Sequence, residues 1–200
     1  HGIKNKTSVY RKATRLITVS QKAKESVDAP STVINNWYPP KIHGKKSLNN
    51  DFILAVGRLE KVKGFDLLIR SWVNVKEKLI IIGSGKEYDS LINLINKHNL
   101  GMKIQIIHEM SQEELTDYYK NASMLVIASR SEGGPRVALE ALYQEIPVIS
   151  TNVGHMPEIL PKELLAEPNN LDSLKDLVET YVGNENYSQD SIYQYIKQEF

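Results

Sequence analysis

Two glutamates flank a predicted helix start in the stretch from Ser129 to Glu140, Ser-Arg-Ser-Glu-Gly-Gly-Pro-Arg-Val-Ala-Leu-Glu. The paired glycines allow close backbone approach, and Pro135 suits the first helical position, where its missing N–H costs nothing. A helix beginning there would present free backbone N–H groups and the positive end of its dipole, which together can bind phosphate. The stretch therefore predicts an anion-binding helix start between Glu132 and Glu140.

The spacing of Glu132 and Glu140 suits a ligand that carries both hydroxyls and a diphosphate. At a rise of about 1.5 Å per residue, the two carboxylates would bracket roughly 7–8 Å along the helix axis. Ionised carboxylates accept hydrogen bonds from paired hydroxyls, such as those of a sugar or a ribose, and Arg136 would add a mobile positive charge. The alternative is a solvated Glu132 and an ion pair between Glu140 and Arg136, one turn apart. The stretch alone leaves both interpretations open.

The loop from Val56 to Gly64 contains two cations that could neutralise such a diphosphate. Arg58 lies at the end of a predicted strand, and Lys63 lies at the start of the helix that follows. Both side chains are long enough to reach an anion at the strand end. The alternative is that each is a solvated surface cation.

Short runs rich in Val, Ile and Leu alternate with helical segments along most of the chain. The apolar runs suit strands buried on both faces of a sheet, and they are Leu16–Ser20, Phe52–Gly57, Lys78–Gly83, Lys103–His108, Ser123–Ser129 and Ile146–Thr151. The segments with apolar residues at three- and four-residue spacing are Gly64–Val73, Lys86–His98, Gln112–Lys120 and Pro135–Gln144. This alternation predicts an α/β fold with a right-handed, doubly wound parallel sheet, that is, a Rossmann-like domain.

Ligands of such a sheet bind outside the carboxyl ends of its strands. Five loops begin at these ends, near Gly57, Gly83, His108, Ser129 and Thr151. The cations described above fall in the first loop and the glutamates in the fourth. We therefore expect the two groups to face one ligand.

The chain divides into three predicted regions. Residues 51–200 contain the sheet and end in two further helices, Leu171–Val182 and Ser191–Phe200. Residues 37–50 lack periodicity, carry two prolines and look like a linker. Residues 1–36 offer too little for a core of their own. We expect them to be the tail of a preceding domain in a longer protein.

Composition narrows the classes of function. Lys and Arg number 25 against 24 Asp and Glu, so a net charge of +1 creates no field that favours nucleic acid or anionic lipid. The absence of cysteine excludes disulfides and thiolate chemistry. No apolar run reaches the roughly 18 residues that span a bilayer. The five histidines show no ligand spacing and no Asp-x-Asp pair occurs, so we expect no metal site.

Six motifs follow one another in an order that resembles a known family of enzymes. They are Gly57-Arg58-Leu59 with Lys63-Gly64-Phe65, Ile82-Gly83-Ser84-Gly85, Ser131-Glu132-Gly133, Glu140-Ala141, Pro147-Val148-Ile149 and Val153-Gly154-His155-Met156-Pro157-Glu158. Residues 50–200 resemble the C-terminal, donor-binding half of family 4 glycosyltransferases, of the group 1 type. Residues 13–37 resemble the tail of that family's N-terminal domain.

The resemblance implies a GT-B architecture, in which two Rossmann-like domains face a cleft. It implies transfer of a hexose, with retention of configuration, from a nucleotide-diphosphate sugar to a saccharide or glycolipid acceptor. No metal and no cofactor besides the donor substrate are implied. By the same resemblance we expect a role in polysaccharide synthesis in the cytoplasm, with peripheral contact at the inner face of a membrane as an option. Without its N-terminal domain the enzyme would be inactive.

The resemblance also assigns roles to individual residues. Arg58 and Lys63 would bind the diphosphate and Glu132 the sugar hydroxyls, and these three are the expected catalytic residues. Glu140 would bind the ribose diol. The other implied donor-binding residues are Gly133, Gly134 and Val137, through backbone N–H groups, together with Arg136, Gly57 and Met110, the last beside the base.

Four positions depart from the common family pattern. Gly134-Pro135 replaces an aromatic-glycine pair, which removes one N–H donor and one ring. Glu145 and His155 each replace a frequent glycine, and we expect His155 to be a solvent-exposed turn residue, with contact to the donor as the alternative. Two other functions stay open, namely a nucleotide-sugar epimerase of the same fold, for which no acid or base residue is evident, and a non-catalytic nucleotide-sugar-binding module.

Overall fold

The computed structural model describes residues 17–18, 24–25, 30–33, 52–184, 190 and 193. The predicted linker at 37–50, most of residues 1–36 and most of the predicted helix Ser191–Phe200 lie outside the described residues. The division of the chain into three regions therefore stays a prediction. No helix within the described ranges is long and apolar enough to cross a bilayer.

All paired strands of the described chain run parallel. Strands β1 (Ile17–Thr18) and β2 (Thr32–Val33) form a two-stranded pair. Six more form one sheet, and they are β3 (Phe52–Val56), β4 (Lys78–Ile82), β5 (Ile104–Ile107), β6 (Ala122–Ile127), β7 (Val148–Thr151) and β8 (Leu165–Ala166). Their order is β5-β4-β3-β6-β7-β8. The predicted doubly wound, Rossmann-like sheet is confirmed.

Helices connect the strands and cover the sheet. They are α1 (Phe65–Ser71), α2 (Tyr88–Lys97), α3 (Gln112–Asn121), α4 (Arg136–Tyr143), α5 (Met156–Ile159) and α6 (Leu171–Tyr181), with short 3-10 helices at Lys61–Lys63 and Lys162–Leu164. Because helices cover the sheet, its central strands are apolar on both faces, and Leu54, Leu79 and Leu125 are fully buried. The sequence pattern predicts neither α5 nor β8, because both are too short to show a period.

Local signals in the sequence explain where two of the helices begin. At the start of α3, Ser111 Oγ accepts a hydrogen bond from Glu114 N at 3.3 Å, and Glu114 Oε2 accepts one from Ser111 N at 2.8 Å. At the start of α6, Asn170 Oδ1 accepts from Ser173 N at 3.1 Å. These side chains satisfy N–H groups that the helix itself cannot pair.

Helix α4 begins one residue later than the sequence predicts. Pro135 has a ψ of 106°, an extended value, so it precedes the helix and Arg136 is the first helical residue. The prediction that Pro135 takes the first helical position is wrong, because the proline ring fixes φ but leaves ψ free. The leading N–H groups of α4 are those of Arg136 and Val137.

At the end of α4, Glu145 adopts the left-handed backbone conformation that glycine usually occupies. Glu145 has a φ of 60°, and the N–H groups of Glu145 and Ile146 donate to the carbonyls of Leu142 and Ala141, both at 3.0 Å. This is the Schellman arrangement, which usually places glycine in the left-handed position. The glutamate therefore occupies the backbone geometry that the family glycine would adopt.

The winding of the sheet changes direction between β3 and β6. Strands β4 and β5 lie on one side of β3, and β6 to β8 lie on the other. With right-handed crossovers, the loops after β3 and β6 lead to helices on opposite faces, which leaves a crevice at the carboxyl edge between them. The two loops touch there: a Cβ added to Gly64, whose φ is 68°, would lie 1.9 Å from the carbonyl oxygen of Ala128. Only glycine fits at this contact.

Candidate functional site

An ion pair between Lys63 and Glu132 lies in the crevice between the loops after β3 and β6. Lys63 Nζ donates a hydrogen bond to Glu132 Oε1 across 69 residues of sequence. Ser129 Oγ donates to the same oxygen at 2.8 Å. The Lys63 and Glu132 side chains are 19% and 14% exposed. The structure therefore brings the predicted cation of the first loop and the predicted carboxylate of the fourth into one site.

The Lys63–Glu132 pair retains capacity for a ligand. An ammonium group has three N–H donors, and a carboxylate has two acceptor oxygens. The contacts described above use one N–H of Lys63 and converge on Oε1 of Glu132. A ligand that carries both a hydroxyl and an anionic oxygen could thus bind the two residues without separating them.

Arg58, the second predicted cation, is directed elsewhere in the structure. Its guanidinium pairs with Glu60 Oε1 at 2.8 Å, and its side chain is 66% exposed. An exposed ion pair of this kind is worth only about 0–1 kcal/mol. Arg58 could therefore turn to an anion at the strand end at little energetic cost.

Arg130, which is not among the predicted site residues, joins the two loops. Its Nη1 and Nη2 donate to the two carboxylate oxygens of Asp66 at 2.7 and 2.9 Å. Nη1 also donates to the carbonyl of Lys61 at 2.6 Å, and the backbone N–H of Arg130 donates to the carbonyl of Val62 at 2.7 Å. The sequence signal that could have identified Arg130 is its position two residues before Glu132, just after a buried strand. The network holds the backbone on both sides of the Lys63–Glu132 pair.

The charge of Asp66 is stabilised by this network. Burial alone would raise the pKa of Asp66, but hydrogen bonds and charges from Arg130 and Lys61 outweigh it and lower the pKa to about 2. Asp66 therefore stays ionised through the physiological pH range, and the Arg130–Asp66 ion pair between the loops stays charged.

Glu140, the predicted ribose ligand, is buried and tied to Tyr119. The Tyr119 hydroxyl donates to Glu140 Oε2 at 3.0 Å, and the two residues are 2% and 9% exposed. Burial, followed by the charge of Glu140, raises the pKa of Tyr119 well above its usual value, so the hydroxyl keeps its proton. The sequence gives no signal for Tyr119, because its contact with Glu140 depends on how α3 and α4 pack.

The alternative role for Glu140, an ion pair with Arg136 on the same helix, is present only in weak form. Arg136 Nη2 lies 3.9 Å from Glu140 Oε1, beyond hydrogen-bonding distance, and the Arg136 side chain is exposed. The pair does not account for the burial of Glu140. Oε1 is thus the oxygen of Glu140 with room for another donor.

The predicted glycines line the crevice. Gly57 follows β3 directly, and a Cβ there would lie 3.4 Å from Lys63 Cε, so its backbone lies against the lysine side chain. Gly133 is exposed and Gly134 is half-buried in the loop before α4. The glycines thus leave the backbone accessible next to the ion pair.

Met110, the residue expected beside the nucleotide base, follows β5 at the carboxyl edge of the sheet. Side-chain contacts stabilise this part of the edge. The ring of His108 stacks on Tyr88, with centroids 5.1 Å apart and planes inclined by 21°. The N–H of Glu109 donates to Ser84 Oγ at 3.2 Å, which joins the loops after β4 and β5. Met110 itself is half-buried and packs against the core.

His155 is buried, so the expectation of a solvent-exposed turn residue is wrong. It is 5% exposed, because the turn before α5 packs on the loop before α4. A Cβ added to Gly154 would lie 2.6 Å from the carbonyl oxygen of Gly133. Burial lowers the pKa of His155, while the charge of Glu132 raises it and is outweighed. Among the described residues, His155 included, no three His, Asp or Glu side chains are grouped so that they could hold a metal ion.

Solved structures that resemble this chain include a sugar-phosphate synthase and a protein solved with a nucleotide sugar. Sucrose-phosphate synthase from Thermosynechococcus elongatus superposes with a TM-score of 0.80 at 18% identity, over 96% of this chain and 55% of that one. Anabaena HepE in complex with UDP-glucose superposes with a TM-score of 0.76 at 17% identity, over 93% of this chain and 63% of that one. These similarities show the fold, which matches one half of a GT-B architecture.

The relatives by sequence include proteins named as glycosyltransferases. An uncharacterized glycosyltransferase of Methanocaldococcus jannaschii is 36% identical over 138 residues, which are 68% of this chain and 39% of that protein. The amylovoran biosynthesis glycosyltransferase AmsD of Erwinia amylovora is 29% identical over 162 residues, 74% of this chain and 46% of AmsD. The chain thus spans less than half the length of these relatives. Residues 40–198 match the model of the glycosyl transferases group 1 family. With four fifths of its length inside that match, the chain is a member of the group 1 glycosyltransferases.

Proposed function

We propose that this chain is the donor-binding part of a family 4, retaining glycosyltransferase that transfers a hexose from a nucleotide-diphosphate sugar. The observation that carries the proposal is the Lys63–Glu132 pair at the carboxyl edge, where the sheet changes direction. This is the place at which doubly wound sheets bind their ligands. The pair offers a positive group for a phosphate and a carboxylate for a hydroxyl within one contact distance.

The names of similar proteins, and a ligand with which one of them was solved, support a nucleotide-sugar donor. HepE was solved with UDP-glucose, and AmsD acts in the synthesis of a polysaccharide. The yeast relative GPI3 is a subunit of a phosphatidylinositol N-acetylglucosaminyltransferase. On the basis of these similar proteins, we propose a saccharide or glycolipid acceptor for the present protein, bound with the help of an N-terminal domain.

The diphosphate would lie at Lys63 and at the start of α4. Two N–H donors of Lys63 remain for it, and Arg58 would leave its exposed pair with Glu60 to join them. The N–H groups of Arg136 and Val137 begin the helix and would complete the set of donors. Charge grows on the diphosphate as the sugar departs, so groups fixed at this place stabilise the transition state more than the ground state. In this proposal no metal and no cofactor take part.

The rest of the donor would be held by carboxylates and by the edge loops. Glu132 would accept hydrogen bonds from sugar hydroxyls, with Gly133 and Gly134 adding backbone contacts. Glu140 would accept from the ribose through Oε1, since Oε2 is taken by Tyr119. The base would lie against the loop at Met110.

A binding experiment tests this assignment. The full-length protein is titrated with UDP-glucose, UDP-N-acetylglucosamine and GDP-mannose while its melting temperature is followed. We expect one of them to stabilise the protein by about 2.7 kcal/mol once the ligand reaches 100 times its Kd. Glu140→Gln is expected to weaken the stabilising ligand by about tenfold, whereas Glu179→Gln, at an exposed site on α6, is the matched control. No stabilisation by any of the three at millimolar concentration would overturn the proposal.

A further inference from the structure

His155 carries a buried polar atom that has no partner in the protein. Its Nε2 is enclosed and makes no hydrogen bond, and the only other such side-chain atom in the described ranges is Ser31 Oγ. A buried imidazole nitrogen without a partner loses its hydrogen bond to water and gains nothing in exchange. Folded proteins rarely keep such a group, and where they do the missing partner is often a ligand or a bound water.

The position of His155 ties it to the donor site. The turn that precedes it packs directly on the loop between Glu132 and α4: a Cβ on Gly154 would lie 2.6 Å from the oxygen of Gly133 and 2.9 Å from the nitrogen of Gly134. Glu132 is also the charged group that acts on the imidazole. His155 therefore follows a turn that packs on the loop of Glu132, the carboxylate to which the sugar hydroxyls are assigned.

The state of the imidazole restricts what it can bind. Burial lowers the pKa of His155, so the ring is neutral near pH 7 and offers one N–H donor and one acceptor nitrogen. A neutral ring brings no charge for a phosphate, and the adjacent negative charge of Glu132 would repel one. A hydroxyl can donate or accept, so it can pair with Nε2 in either tautomer.

We propose that His155 is a specificity-determining residue that binds a hydroxyl of the transferred sugar through Nε2, next to Glu132. This inference rests on the proposed function. A site that holds a hydroxyl with a buried polar group rejects sugars that lack it, because the group would then stay unpaired. His155 would thus help to select the donor sugar without affecting the binding of the nucleoside diphosphate.

The test compares two ligands on the full-length protein by calorimetry, UDP-glucose and UDP, with GDP-mannose and GDP as the second pair. His155→Phe removes the polar atom and keeps a ring of similar size. We expect the variant to bind the sugar nucleotide about tenfold more weakly than wild type and to bind the nucleoside diphosphate with an affinity within about twofold of wild type. The melting temperature of the ligand-free protein should stay equal or rise, since an unpaired buried group has been removed.

Two further variants keep the test informative. His155→Gln places a hydrogen-bonding group near the position of Nε2 and should restore most of the affinity for the sugar nucleotide. His98→Phe is the control, since His98 directly follows α2 and so lies towards the opposite edge of the sheet. It should change neither affinity. If His155→Phe fails to fold, His155→Gln is compared with wild type on UDP-glucose analogues that each lack one hydroxyl. For one analogue, the loss of affinity relative to UDP-glucose should differ between the variant and wild type.

Several outcomes would overturn the inference. Equal losses for UDP-glucose and UDP in His155→Phe would mean that the residue acts on the whole loop or on the diphosphate. Unchanged affinity for both would mean that a water or nothing at all pairs with Nε2. A wild-type protein that binds no sugar nucleotide would overturn the proposed function itself, and this result appears before any variant is made.

Discussion

Arg130 holds both carboxylate oxygens of Asp66, at 2.7 and 2.9 Å, and thereby joins the loop of Glu132 to the loop of Lys63. Fork-to-fork pairing of this kind is geometrically specific as well as strong. The two side chains are mostly buried, so solvent screens the pair little. The proposed donor site therefore depends on a second ion pair that would not touch the donor.

Replacing Asp66 by asparagine should destabilise the domain. The shift of its pKa from 3.8 to about 2 corresponds to about 2 kcal/mol of stabilisation at neutral pH, which the uncharged amide would lose. Urea unfolding of the full-length protein at pH 7 measures the difference. Asp117→Asn is the matched control, since Asp117 forms an exposed pair with Lys120 at 3.4 Å. Equal losses of unfolding free energy in the two variants would contradict the stabilising role of the Arg130–Asp66 ion pair.

The cost of Asp66→Asn should depend on pH in one direction. The pKa of Asp66 is lower in the folded protein than in the unfolded chain, so the stabilisation is present above about 3.8 and is lost as the pH falls towards about 2. The difference in unfolding free energy between wild type and variant should accordingly shrink over this window. Unfolding curves at intervals from pH 5 downward check it, and a constant difference would argue against an ionised Asp66.

Tyr119→Phe should weaken nucleotide binding by releasing Glu140. The change removes only the hydroxyl that donates to Oε2 at 3.0 Å, so one oxygen of a buried carboxylate loses its partner. A hydrogen bond to a charged group contributes about 1.5–3 kcal/mol, and we expect UDP to bind about tenfold more weakly. Discrimination between UDP and 2′-deoxy-UDP should fall as well, because Glu140 would no longer be fixed towards the ribose.

Tyr118→Phe serves as the control for Tyr119→Phe. Tyr118 is the preceding residue, and its ring packs edge-to-face with that of Phe52, with the two ring centroids 6.0 Å apart, a contact that phenylalanine retains. This variant should bind UDP like wild type and discriminate against 2′-deoxy-UDP to the same degree. If Tyr119→Phe behaved like it, Tyr119 would have no role in orienting Glu140.

Gly64→Ala should disrupt the contact between the two loops. Its φ of 68° disfavours a side chain, and the added Cβ would lie 1.9 Å from the carbonyl oxygen of Ala128. Strain and steric overlap together should cost roughly 2–5 kcal/mol. Thermal unfolding compares it with Gly101→Ala, where nothing lies within 4 Å of an added Cβ. A melting temperature of Gly64→Ala equal to that of Gly101→Ala would show that the loops move apart easily.

The sequence predicted the sheet well because its signals are local. Buried parallel strands are continuous apolar runs, and caps such as Ser111 and Asn170 mark helix starts within a few residues. That Lys63 and Glu132 face one crevice also followed from topology, since both lie just after carboxyl strand ends. The predictions failed where spacing carries no information, as for the two-residue strand β8.

The side-chain contacts in the site could not be predicted from the sequence. Arg130 meets Asp66 across 64 residues, and Tyr119 meets Glu140 across 21, so neither pair follows from helix or strand periodicity. The burial of His155 depends on how its turn packs against Gly133. The pattern likewise gave no sign that Lys63 and Glu132 would pair with each other.

The turnover of Lys63→Met tests the central claim most directly, with donor and acceptor saturating in the full-length enzyme. Lys63 is held in the crevice by Glu132, whereas Lys61, in the same 3-10 helix, is exposed and pairs with Asp66, so Lys61→Met is the matched control. If Lys63 stabilises the departing diphosphate, kcat should fall by roughly 10²–10³-fold in Lys63→Met and stay within about twofold in Lys61→Met. An unchanged kcat in Lys63→Met would contradict the account.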